Sequence, residues 1–114
     1  MTTHNHIDLI EFPAKSTEDL ARTKNFFTKV FDWHYTDWSE TYSDTTDSGT
    51  SSGINSDQGQ SMPLTVIYSK DLEATKEKVI QNGGTIILDT YSFPGGRRFH
   101  FTEPSGNELA VWSE

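Results

Sequence analysis

The stretch RRFHFTEPSGNELAVW, residues 97–112, holds the question that decides the fold. The turn signal EPSGN parts two short runs, so residues 97–102 and 108–113 are expected to pair as antiparallel strands. His100 stands between Phe99 and Phe101. Strand side chains alternate between the two faces of a sheet. His100 is therefore a ligand, a catalytic base or a packed side chain according to the face from which it points.

Outward from this hairpin the chain shows two helices, each after a strand-like run. HIDLIEFPA precedes STEDL, where Ser16 or Thr17 can cap the helix and Glu18 and Asp19 favour the positive end of its dipole. Leu20, Phe27 and Phe31, with Phe26 and Val30 alongside, form one apolar stripe. PLTVIYS precedes the second helix, which starts at Asp71, carries Leu72 and Val79 on its stripe and stops at the NGG of residues 82–84. Further strand-like runs are DWHYTDWSETYS, TIILD, RRFHFTE and ELAVWS. Residues 43–62, rich in Ser, Thr, Asp and Gly, are expected to hold a hairpin turning near Asp47–Gly49, a weak strand around 50–55 and a mobile loop. DLARTK at 19–24 and DLEATK at 71–76 open the two helices. The order strand, helix, strands occurs twice, the signature of two fused modules.

The chain of 114 residues suits a single domain. Its net charge of -8 and the lack of any basic run longer than Arg97–Arg98 argue against nucleic acid and against an anionic membrane surface. With no cysteine there is no disulfide, thiolate metal site or cysteine nucleophile. MTTHNHID lacks a signal pattern and no apolar run approaches membrane length, so a cytoplasmic protein is expected.

EFPA and DLARTKNFFTKVFDW in the first half, with KDLEATKEKVIQNGG and FTEPSGNELAVW in the second, resemble the vicinal-oxygen-chelate superfamily. That superfamily includes glyoxalase I, bleomycin-resistance proteins and extradiol dioxygenases, and the small glyoxalase-related type is the nearest in flavour. Glu103 stands where the family turn F-x-D-P-x-G-N has Asp. The resemblance implies an α+β fold of two βαβββ modules, about 5–58 and 62–114. They would form a U-shaped mixed sheet around a central cavity, with helices on the outer side. It also implies metal ligands on first and last strands, at positions that fall here near Leu9 and on Leu64 and Ala110. The remaining position lies within 43–56 and is unassigned. Leu and Ala cannot bind a metal, so no cofactor is expected.

With Ala110 facing the cavity, a register that sets His100 beside Ala110 and Thr102 beside Glu108 turns Phe99, Phe101, Leu109 and Val111 toward the helices. Arg98, His100, Glu108 and Trp112 then face the cavity, joined by Leu9, Glu11, Leu64, Val66 and Tyr68. This makes a pocket with apolar walls and a few directed polar groups, the usual recipe for binding a small molecule. Its ligand-binding residues are Leu9, Leu64, Val66, Tyr68, Arg98, Ala110 and Trp112.

His100, Glu108 and Glu11 are the candidate catalytic groups. His100 can act as acid or base near neutrality, or line the pocket hydrogen-bonded to Glu108. The two glutamates can be bases, substitute metal ligands, or salt-bridge partners of Arg98. His4 and His6 suit an edge strand or frayed terminus better than a metal, and His34 is expected on an outer face. Trp33, Tyr35, Trp38 and Tyr42 fit a planar ligand or core and dimer packing equally well.

The leading expectation is a glyoxalase/bleomycin-resistance-like homodimer that holds a small organic molecule, by sequestration or metal-free acid/base chemistry. A metal-dependent lyase, isomerase or dioxygenase, with a divalent metal displaced to Glu11, His100 and Glu108, is the alternative. A third is a non-catalytic interaction module using the acidic 43–62 segment.

Overall fold

A computed structural model describes residues 2–114. The order of elements is β1 (Ile7–Pro13), α1 (Thr17–Phe31), β2 (Thr36–Ser39), β3 (Tyr42–Thr45), β4 (Ser51–Asn55), β5 (Leu64–Tyr68), α2 (Leu72–Gln81), β6 (Thr85–Phe93), β7 (Gly96–Thr102) and β8 (Glu108–Ser113). Strand, helix and three strands thus occur twice, the α+β pattern read from the sequence. The described residues group into two units, Leu9–Leu64, and residues 2–8 with Thr65–Glu114. The boundary falls inside β1, so the first residues of the chain go with the second module.

In the unit Leu9–Leu64, the Ser16 Oγ accepts from the Asp19 N–H at 3.1 Å and caps α1. Asp32 ends the helix in the left-handed conformation, its N–H reaching the Thr28 carbonyl. The strands run β2-β3-β4-β1, with β1 parallel to β4 and the others antiparallel. The stripe of α1 is only partly used. Leu20 is buried and Phe27 packs on Phe12 at 5.4 Å and Trp33 at 5.1 Å. Phe26, Val30 and Phe31, expected beside them, stay more than half exposed. Gly53 leaves room for Tyr42, since a Cβ there would lie 2.6 Å from its hydroxyl and the ring would have to shift.

In the other unit, Asp71 caps α2 by accepting from the Ala74 N–H at 3.1 Å. The repeated hexamers therefore differ in role. Asp71 is a cap, whereas Asp19 lies one turn inside α1, and the shared element is the buried leucine, Leu20 or Leu72. The strands run β5-β8-β7-β6, with β5 parallel to β8 and the rest antiparallel. The β7–β8 register is the expected one, with Arg98 beside Trp112, His100 beside Ala110 and Thr102 beside Glu108. Phe99, Phe101, Val111 and Leu72 form the core under α2, with Val79, Ile86 and Leu109 around it.

The EPSGN turn is closed by Glu103. Its N–H reaches the Asn107 carbonyl at 3.0 Å, and its carboxylate accepts from the Asn107 backbone at 2.8 Å and side chain at 3.1 Å. At the other hairpin Gly96 cannot be replaced cheaply, because a Cβ would fall 2.1 Å from the Ser113 carbonyl.

Phe99 is fully buried. Phe99→Ala is expected to lower the unfolding free energy by about 3–5 kcal/mol, the range for emptying a phenylalanine site. Urea denaturation followed by circular dichroism measures it, and a change under about 1 kcal/mol would contradict this packing.

Candidate functional site

Residues opposite one another in a ladder share a face. The pairing of β8 with both β5 and β7 therefore gathers Val66, Tyr68, Arg98, His100, Glu108, Ala110 and Trp112 on the face away from α2. All seven had been placed there from the sequence. Leu9, Glu11 and Leu64 belong to the other unit. There Leu9 pairs with Ser51 and Glu11 with Gly53, and Glu11 and Leu64 are buried.

The polar groups of the gathered face form a chain. Arg98 donates from Nε to the Tyr91 hydroxyl oxygen at 2.5 Å and lies 5.8 Å from the centre of its ring. The same hydroxyl meets His100 Nε2 at 3.0 Å, and His100 Nδ1 stands 3.4 Å from Glu108 Oε2. His100 is 1% exposed and Arg98 6%, whereas the Glu108 side chain is 40% exposed. Burial of polar groups is tolerable when each is hydrogen-bonded, and the chain supplies those bonds. Solvent meets it at Glu108.

Beside the chain lies an aromatic group. Tyr68 and Trp112 are edge-to-face at 5.1 Å, and Phe93 stands 6.1 Å from Trp112. Trp112 donates its indole N–H to Asp8 at 2.9 Å, and Tyr68 donates to Glu114 at 2.5 Å. The Glu114 bond pushes the Tyr68 phenol above its ordinary pKa, with burial and the negative charges of Glu114 and Asp8 adding to it. Tyr68, expected to direct its hydroxyl into a pocket, is thus tied to the end of the chain. Tyr91, Phe93, Asp8 and Glu114 had escaped the sequence reading. The alternation of Tyr91 and Phe93 in DTYSF was the signal available for two of them.

The histidines near the start are ordered by β5 and its exit. The His6 carbonyl accepts from the Tyr68 N–H at 3.1 Å, and His4 Nδ1 accepts from the Lys70 N–H at 3.1 Å. Both residues precede β1, which begins at Ile7, so neither sits in an edge strand as the sequence had suggested.

Within the unit Leu9–Leu64, a cleft of about 290 Å³ is lined by Lys24, Asn25, Thr28, His34 and Tyr35. Lys24 and Ser43 both donate to Asp37, and those two hydrogen bonds hold its carboxyl below the usual range. His34, exposed as expected, gives its backbone N–H to Asp47 at 2.8 Å with its ring nearby, which lowers the Asp47 pKa. Of the aromatics in this segment, Trp33 packs on Phe27 and Phe31, and Trp38 is exposed with its indole N–H on Asp44. The buried Tyr35 hydroxyl has no hydrogen-bond partner, and burial raises its pKa.

Metal-using relatives would place ligands where this chain has Leu9, Leu64 and Ala110. Among the described residues, no group of three or more His, Cys, Asp or Glu side chains is gathered in a way that could hold a metal ion. The residues present do not fit a metal.

The family model for the Glyoxalase/Bleomycin resistance protein/Dioxygenase superfamily matches residues 5–111. The chain belongs to that superfamily. Solved structures agree in fold. One described as an NAD-dependent benzaldehyde dehydrogenase from Legionella pneumophila has a TM-score of 0.75 over 92% of this chain and 96% of that chain, at 13% identity. A superfamily member from Vibrio splendidus 12B01 reaches 0.67 over 93% and 97% of the two chains, at 14% identity. Methylmalonyl-CoA epimerase from Mycobacterium tuberculosis reaches 0.66 over 99% and 91%, at 10% identity. At these identities the likeness is one of fold. No curated protein matches this superfamily member in sequence.

Two substitutions test the site. His100→Ala leaves buried partners unsatisfied and is expected to cost about 1–3 kcal/mol or more, whereas Glu108→Ala at the exposed end is expected to cost under about 1 kcal/mol. Equal losses in chemical denaturation would contradict the burial gradient. Tyr35→Phe removes an unpaired buried hydroxyl and is expected to raise stability by about 1 kcal/mol. A loss of that size in the same assay would show that the hydroxyl is satisfied.

Proposed function

We propose that this superfamily member binds a small organic molecule, by sequestration or by metal-free acid/base chemistry, with Glu108 as the polar group that meets the ligand. The observation carrying this reading is the Arg98–Tyr91–His100–Glu108 chain, buried at His100 and open at Glu108. A histidine 1% exposed does not touch a ligand in this conformation, so His100 acts through the carboxylate it adjoins. Trp112 and Phe93, both only partly buried, offer aromatic surface on the same side for an apolar body. The ligand class that suits this combination has an apolar or aromatic body and a proton-donating group for Glu108. Glu11, buried in the other unit, is a secondary candidate for the same chemistry.

The protein is proposed to work as a homodimer in the cytoplasm, without nucleic acid or membrane as partner. The exposed Phe26, Val30 and Phe31 of α1 support a second copy as partner. No helix among the described residues is long and apolar enough to cross a membrane.

Native mass spectrometry on protein purified without chelator or affinity metal is the first test. The expected result is a dimer without stoichiometric metal. In a thermal-shift screen of small phenols and hydroxy acids, at least one compound should raise the Tm of the wild type but not of Glu108→Ala. Saturation at about 100 times Kd would stabilise by about 2.7 kcal/mol. A stoichiometric metal that Glu108→Ala loses would overturn the reading.

A further inference from the structure

β6 contains two more residues than the ladder with β7 needs. Thr85 faces Thr102 and Ile86 faces Phe101. Regular pairing from there would set Ile87 opposite His100 and Asp89 opposite Arg98. Instead Leu88 faces His100 and Tyr91 faces Arg98, with irregularities between Ile86 and Leu88 and again between Leu88 and Tyr91. Each is one extra residue on β6, the definition of a β-bulge.

The side chains record the result. Asp89 pairs with Lys76 of α2, on the helix side. Tyr91, two residues on, bonds Arg98 and His100 on the opposite side. In a regular strand residues two apart share a face, so the second bulge is what separates them. Without it Thr90 would stand opposite Arg98 and Tyr91 opposite Arg97, so no phenol would reach His100.

The hydrogen-bond chemistry then has a direction. The Arg98 Nε–H can only donate, so the Tyr91 oxygen accepts from it. An ionised Glu108 can only accept, so the proton between it and His100 belongs to Nδ1. An uncharged imidazole has one N–H, which leaves Nε2 to accept from the Tyr91 hydroxyl. Which nitrogen of a histidine carries the proton is set by the bond the other one makes.

We propose that Tyr91 is a positioning residue: delivered by the two bulges of β6, it donates to His100 Nε2, fixes the ring as the Nδ1–H tautomer and thereby aims Glu108 at the ligand. The role of Glu108 rests on the function proposed above, and the tautomer rests on these hydrogen bonds with Glu108 ionised and the ring uncharged.

Long-range ¹H–¹⁵N correlation of the histidine rings in ligand-free protein at neutral pH tests it, with His100→Asn identifying the signals. The wild type is expected to show one His100 species, protonated at Nδ1 and unprotonated at Nε2. Tyr91→Phe keeps the ring and loses the donor, so the Nε2 signal should shift while backbone spectra show the fold retained. Glu108→Gln keeps an acceptor and should preserve the Nδ1–H tautomer. A wild-type ring protonated at Nε2, a ring protonated on both nitrogens, or an Nε2 signal unmoved in Tyr91→Phe would each overturn the proposal. Because no ligand is used, its failure is separate from that of the ligand reading, which the thermal-shift screen decides.

Discussion

The register of β7 against β8 is the constraint on which everything else rests. A slip of one residue would exchange Phe99 and Phe101 for Arg98 and His100, burying charge beneath α2 and exposing two aromatic rings. Two devices pin it. At one end the Glu103 carboxylate grips the Asn107 backbone and side chain across the turn. At the other, Gly96 lies so close to the Ser113 carbonyl that only a residue without Cβ fits. Glutamate in place of the shorter aspartate is accommodated at the turn, since its carboxylate still reaches both Asn107 nitrogens.

The polar chain on the far face inverts the usual economy of a sheet. Arg98 and His100 are taken out of water, which costs several kcal/mol for an ion unless its hydrogen bonds are met. Tyr91 answers both neighbours with one hydroxyl. The three expected metal positions, Leu9, Leu64 and Ala110, are apolar, and the polar groups that this chain does gather bond one another.

Much of this was legible in the sequence, for physical reasons. Caps at Ser16 and Asp71, the stop at residues 82–84 and the turn at 103–107 are set by local chemistry that short motifs carry. The seven residues of the Val66–Trp112 face follow from alternation once the register is known. Tyr91 was not legible, because alternation counts residues and a bulge is an uncounted one. TIILD alone read as strand, whereas β6 runs on to Phe93. The exposed end of α1 was not legible either. An apolar stripe shows which side of a helix can be buried, not which of its residues will find a partner.

The irregularity of β6 has one more effect. This strand is the outer one of its unit, nine residues long, with Ile87 and Leu88 each more than two-fifths exposed. A regular strand of that length and character would present an unbroken row of backbone donors and acceptors to any passing chain, the starting point of cross-strand aggregation. Bulges break the spacing of that row and bend it away from a flat template. The kinks that bring Tyr91 to His100 also make this border a poor place for another strand to dock.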